Sequence, residues 1–155
     1  MKKIRVFVDT SVFGGCFDDE FRKDSEAFFN LVRKGRFQVV VSELILEELK
    51  GAPSDVFDVF FNLPNENKEI LIEGEEVFEL KDAYIQAGVV TKKSENDASH
   101  IAIASIAKVD LIVSWNFKHI VHFEKIRGYN GINIIKGYQS ISIHSPSEVI
   151  DYEKE

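Results

Sequence analysis

Four acidic or amide side chains, Asp9, Glu48, Asp97 and Asn116, each stand where an apolar strand or helix pattern of this chain starts or stops. An apolar segment, Ile4 to Val8, runs into Asp9, Thr10 and Ser11, which sets a carboxylate and two hydroxyls at its carboxyl end. A second, Val39 to Val41, feeds a helix whose second turn carries Glu47 and Glu48. A third, Leu111 to Val113, feeds Ser114, Trp115 and Asn116. In open α/β sheets ligands bind at the carboxyl ends of the strands. Carboxylates gathered there repel, raise one another's pKa and are costly to keep charged unless a cation sits among them. The pattern therefore suggests metal binding.

Each position also has a structural use. Asp9 could cap the segment behind it, although Ser11 two residues on favours a metal site. Glu48 lies beside Glu47 on a helix with an apolar opposite side, where surface glutamates are commonplace; Glu48, one position before Leu49, has the better claim. Ser94-Glu95-Asn96-Asp97 has the spacing of a capping box, so Asp97 serves the helix start, the cleft or both. Asn116 suits a turn after a strand, and its amide oxygen is also able to hold a water on a metal. His100, three positions after Asp97, is either a satisfied core histidine or a partner aimed at the same cleft. His119, next to Lys118, belongs near the rim.

The elements that must position these groups alternate between strand and helix. Strands are expected at Lys2 to Val8, Phe37 to Val41 and Lys68 to Ile72, with Leu111 to Val113 further on. Helical spacing runs over Asp24 to Arg33, closed by Gly35, and over a segment that Ser42 caps and Gly51 and Pro53 end. Further helices are expected at about Ser54 to Phe61, from Gly74 to Gln86 with Gly88 behind it, and from Ser94 through Ala98, Ile101, Ala102, Ser105 and Ile106. The tail contributes Ile132 to Ile135, Ser140 to Ile143 and a last turn from Ser145. No repeat or linker interrupts the alternation, so a three-layer α/β/α fold with a mostly parallel sheet is expected.

Composition narrows the function classes. The 155 residues, 45% hydrophobic and without an apolar run of membrane-spanning length, predict one soluble domain over 1–155. The basic start is followed by a short apolar stretch broken by Arg5 and Asp9, unlike a signal peptide, which points to the cytoplasm. One cysteine, Cys16, excludes an internal disulfide and a multi-cysteine zinc site. A net charge of −7 opposes wholesale gripping of nucleic acid, leaving local contacts through Arg33, Lys34 and Arg36, through Lys92 and Lys93, or through Lys118, His119, Lys125 and Arg127. The 13 phenylalanines are expected mostly in the core rather than as a base-stacking platform.

Taken in order, Val8-Asp9-Thr10-Ser11, Leu46-Glu47-Glu48-Leu49, Asn96-Asp97-Ala98-Ser99-His100-Ile101-Ala102 and Leu111-Ile112-Val113-Ser114-Trp115-Asn116-Phe117-Lys118-His119-Ile120 resemble the PIN domain, in particular the VapC-type toxin ribonucleases. The resemblance covers nearly the whole chain. It implies a parallel sheet of about five strands, a cleft of three or four acidic residues, Mg²⁺ or Mn²⁺, endonucleolytic cleavage of RNA, a homodimer and a cognate antitoxin. Asn116 stands where the family commonly carries Asp, which favours one metal held by Asp9 and Asp97 with Glu48 acting directly or through water. Ser11 would then bond a ligand carboxylate or a substrate phosphate, and Asn116 would orient a water. Two other classes compete: a PIN-like module that binds RNA or protein without cutting, and a phosphatase of another α/β fold, which would need a second Asp where Ser11 stands.

Overall fold

The computed structural model describes residues 3–152. Five strands form one sheet: β1 Ile4–Val8, β2 Phe37–Ser42, β3 Lys68–Leu71, β4 Leu111–Val113 and β5 Ser142–His144. All are parallel, in the order β3-β2-β1-β4-β5. Lys2, expected in the first strand, lies outside the described residues. Val6, Phe7 and Val8 are all buried. Because successive side chains point to opposite faces of a sheet, three buried neighbours mean that both faces are covered.

The covering helices are α1 Thr10–Gly15, α2 Arg22–Arg33, α3 Glu43–Lys50, α4 Ser54–Phe61, α5 Glu75–Gln86, α6 Glu95–Ile106, α7 Phe123–Ile135 and α8 Pro146–Tyr152. From β1 the chain steps to β2 and β3 on one side, then crosses back to β4 and β5 on the other. Right-handed crossovers therefore place α1 to α4 on one face and α5 to α7 on the opposite face. The packing agrees, since α1 contacts α2, α3 and α4 while α5 contacts α6 and α7, and α8 returns to α2. This is the expected three-layer α/β/α arrangement. The direction of strand order reverses between β1 and β4, which opens a crevice at their carboxyl ends.

Local chemistry explains the helix ends. Ser42 caps α3 by accepting the Ile45 N–H at 3.1 Å. After α2, Gly35 takes φ +82°, and the Arg36 N–H reaches the Leu31 carbonyl at 3.0 Å to close the helix. Inside, Tyr84 of α5 donates to Asn133 Oδ1 of α7, and Asn133 Nδ2 donates to Ser105 Oγ of α6 at 2.9 Å. That buried chain pins α6, the helix that carries Asp97 and His100.

Three segments depart from the sequence reading. Helix α1 is absent from it, because a six-residue helix ending in two glycines has neither the length nor the propensity to stand out. Ile132 to Ile135 turn out to be the last turn of α7, whose pattern is diluted by Gly128 and Gly131. The capping box expected at Ser94 does not form: Ser94 ends a short 3₁₀ turn, Lys92–Ser94, and its side chain makes no cap bond. At Ser145, the start of α8, half of such a box forms: the Ser145 N–H and hydroxyl both donate to Glu148 Oε1, at 3.2 and 3.4 Å. Among the described residues no helix is long and apolar enough to cross a membrane.

Candidate active site

Asp9 follows β1 directly, and its N–H still pairs with the Val113 carbonyl of β4 at 3.1 Å. It occupies the position before α1, yet its side chain makes no capping bond. Instead Oδ2 accepts from Ser11 Oγ and from Ser114 Oγ, each at 2.7 Å. The two hydroxyls are themselves held, for the Trp115 N–H donates to Ser11 Oγ and the Asn116 N–H to Ser114 Oγ, both at 2.9 Å. The loops behind β1 and β4 are thus tied together through one carboxylate oxygen.

Helix α3 turns Glu47 outward and Glu48 inward. Glu48 Oε1 accepts from Thr10 Oγ1 at 2.5 Å, and Oε2 lies 3.1 Å from His100 Nε2. Burial pushes the Glu48 pKa up, but the bond and charge of His100 and the Thr10 hydroxyl outweigh it and leave the carboxyl below its ordinary value. His100 is 2% exposed. Burial favours its neutral form, whereas the Glu48 bond and the nearby charges of Asp9, Glu48 and Asp97 prevail and raise its pKa. It is both a buried histidine and a partner of the cleft. Among the described residues, its Nδ1 and that of His119 are the buried side-chain nitrogens with no hydrogen-bond partner.

Asp97 sits in the first turn of α6. Its pKa is raised, by burial first and by repulsion from Asp9 second, against the opposing pull of His100, His119 and the Asn116 amide. Asn116 Nδ2 donates to Asp97 Oδ1 at 3.3 Å. The amide oxygen of Asn116 accepts the Lys118 and His119 N–H groups at 3.2 and 3.0 Å, which makes it a turn residue as well.

All five sequence-derived candidates, Asp9, Ser11, Glu48, Asp97 and Asn116, line one cavity of about 430 Å³, together with Gly14, Gly15, Asp18, Phe21, His100 and Trp115. Ligand atoms of Asp9, Glu48 and His100 lie within 4.8 Å of one another. Asp97 shares the cavity without belonging to that tightest group. The donor set is mostly carboxylate oxygen with unbalanced negative charge, the chemistry that a hard divalent cation satisfies.

Ser114, Phe21, Gly15 and Asp18 were not singled out from the sequence. Ser114 carried one available signal: it is the first polar residue after β4, the counterpart of Asp9 after β1. Gly15 carried none, because its role is steric: a Cβ there would come within 2.4 Å of Ser25 Oγ and 2.8 Å of Trp115 Nε1.

Comparison with known proteins bears on the fold and the family. Among solved structures, a chain of the crystal structure of VapBC2 from Rickettsia felis bound to a DNA fragment from their promoter superposes with a TM-score of 0.58 at 14% identity, over 92% of this chain and 98% of that one. At that identity the likeness speaks for the fold. No curated protein gives a significant match. The PIN domain family model matches residues 5–118, a span that includes all five candidate residues, and by that match the chain belongs to the PIN domain family.

Proposed function

We propose that this PIN domain is a metal-dependent endoribonuclease of the VapC toxin type, with Asp9, Asp97 and Glu48 as its metal-holding carboxylates. The observation that carries this reading is the convergence of Asp9, Glu48, Asp97 and His100 on one cavity at the switch point between β1 and β4. When bound, Mg²⁺ or Mn²⁺ supplies positive charge against a phosphodiester and makes an attacking water more acidic. The chain's own residues do the rest. Ser11 and Ser114 fix Asp9, the Asn116 amide steadies the ionised form of Asp97, and His100 with Thr10 holds Glu48 in place to orient a water or take its proton. Both Glu48 oxygens are already hydrogen-bonded, so Glu48 would help to hold the cation through an intervening water, while Asp9 and Asp97 would ligate it directly.

A cognate antitoxin and a homodimer belong to the same reading, as does a cytoplasmic setting. The superposed Rickettsia felis structure is a VapBC2 complex, and on this chain α7 exposes Phe123, Ile134 and Ile135, apolar surface suited to a protein contact.

The test is cleavage of a mixed pool of structured RNAs with Mg²⁺, Mn²⁺ or EDTA, beside Asp9→Asn and Asp97→Asn. Metal-dependent cutting lost in both variants supports the nuclease. A wild type that binds RNA and cuts none would favour the non-cleaving module that Asn116 and the acidic surface also suit.

A further inference from the structure

Beside the carboxylates the cavity has an aromatic wall. Phe21 and Trp115 line it together with Asp9, Glu48 and Asp97, and their rings are stacked at 4.3 Å with planes 20° apart. Phe117 extends the group, with its ring centroid 6.1 Å from Trp115 and 6.5 Å from Phe21, and it is 49% exposed. The expectation that the 13 phenylalanines sit mostly in the core does not hold: six are buried, Phe21 is only partly buried and Phe117 is open.

The wall is tied to the carboxylates through Trp115. Trp115 is fixed by Nε1–H donating to Ser25 Oγ at 2.8 Å and by its backbone N–H donating to Ser11 Oγ, the hydroxyl that also holds Asp9. Phe117 directly follows Asn116, whose amide contacts Asp97. A half-exposed ring is ordinary alone. Two rings in the lining of an anionic cleft, extended by an exposed third that contacts both, are a specific surface, because neutral aromatic faces attract a polyanion's bases where the local charge does not attract its phosphates.

We propose that Phe21 and Phe117, backed by Trp115, form a shelf on which one unpaired nucleobase next to the scissile phosphate stacks. This rests on the nuclease reading for its substrate and deepens it: the shelf selects single-stranded RNA at the cut and is tolerant of base identity, since every base has a π-face.

The probe is a fluorescein-labelled single-stranded oligoribonucleotide, compared with the same oligonucleotide carrying one abasic position at the cleavage site. Binding is measured by anisotropy in EDTA and by quenching of Trp115, the chain's one tryptophan, and kcat and KM are measured separately with Mg²⁺. Phe117→Ala is expected to weaken binding and raise KM by about 5- to 150-fold, the effect of losing one stacked base. Phe117→Trp should restore affinity, Phe61→Ala on α4 should change nothing, and the abasic oligonucleotide should be insensitive to Phe117→Ala. Equal affinities for wild type and Phe117→Ala would overturn the shelf, as would an equal loss on intact and abasic oligonucleotides. Shelf-dependent binding in EDTA without cutting in Mg²⁺ would sink the nuclease reading and leave the shelf standing.

Discussion

Replacing Ser114 by alanine isolates how firmly the fold holds its central carboxylate. Ser114 is fully buried, donates to Asp9 Oδ2 at 2.7 Å and accepts the Asn116 N–H at 2.9 Å. Loss of the bond to a charged acceptor costs about 1.5–3 kcal/mol, and a stranded, partly buried N–H adds roughly 1. The sum is about 3 kcal/mol, which for a domain of this size lowers Tm by about 6 to 12 °C. Ser11→Ala removes a similar pair of bonds in a more open place, so a smaller drop is expected there. The double variant should lose more than the two single drops together, because the first deletion leaves Asp9 Oδ2 one hydroxyl and the second leaves it none. Thermal unfolding by circular dichroism measures all three, with RNA cleavage rates alongside. A drop below about 2 °C for Ser114→Ala, under a third of the smallest expected, would refute the claim that this bond anchors Asp9.

Three further outcomes are expected. Gly15→Ala drives a methyl group against Ser25 Oγ and Trp115 Nε1, so it should cost about 1–3 kcal/mol and shift the tryptophan emission to the red; unchanged emission and stability would contradict the packing described. Lys108 holds φ +56° after α6, a conformation that suits glycine, so Lys108→Gly should raise Tm by about 1 to 4 °C in thermal unfolding, and a fall would show the lysine side chain to be stabilising. Burial pushes the Cys16 thiol up to about 11, so it stays protonated at neutral to mildly alkaline pH; iodoacetamide should label it slowly in native protein and readily once denatured, whereas equal rates would place it at the surface.

What the sequence discloses follows from range. Strands β1, β2 and β4 are short apolar runs bounded by polar residues, and α4 and α5 carry complete apolar faces, so a local pattern suffices to find them. As candidates, Asp9, Asp97 and Asn116 are legible because each closes or opens such a pattern, and Glu48 because it stands beside the apolar Leu49 on α3. The partnerships among them are not. Ser114 reaches Asp9 across 105 positions and His100 reaches Glu48 across 52, and no local spacing encodes either pairing. Asp97 shows the converse: its capping-box spacing is locally sound, but the preceding 3₁₀ turn takes Ser94 out of the capping conformation and leaves the carboxylate to the cleft. The aromatic wall is hidden for the same reason as the partnerships, since Phe21 and Trp115 meet only once α2 packs beside the loop behind β4.

The most direct test of the central claim, that Asp9 and Asp97 join Glu48 to hold a divalent cation, is titration of Mn²⁺ into the protein with free Mn²⁺ followed by electron paramagnetic resonance. Wild type should take up Mn²⁺ at a saturable site, and Asp9→Asn and Asp97→Asn, each folded by circular dichroism, should weaken that uptake at least as much as the 10- to 100-fold typical of losing an outer partner of a metal ligand. Unaltered uptake in both variants would contradict the claim and put the cation elsewhere.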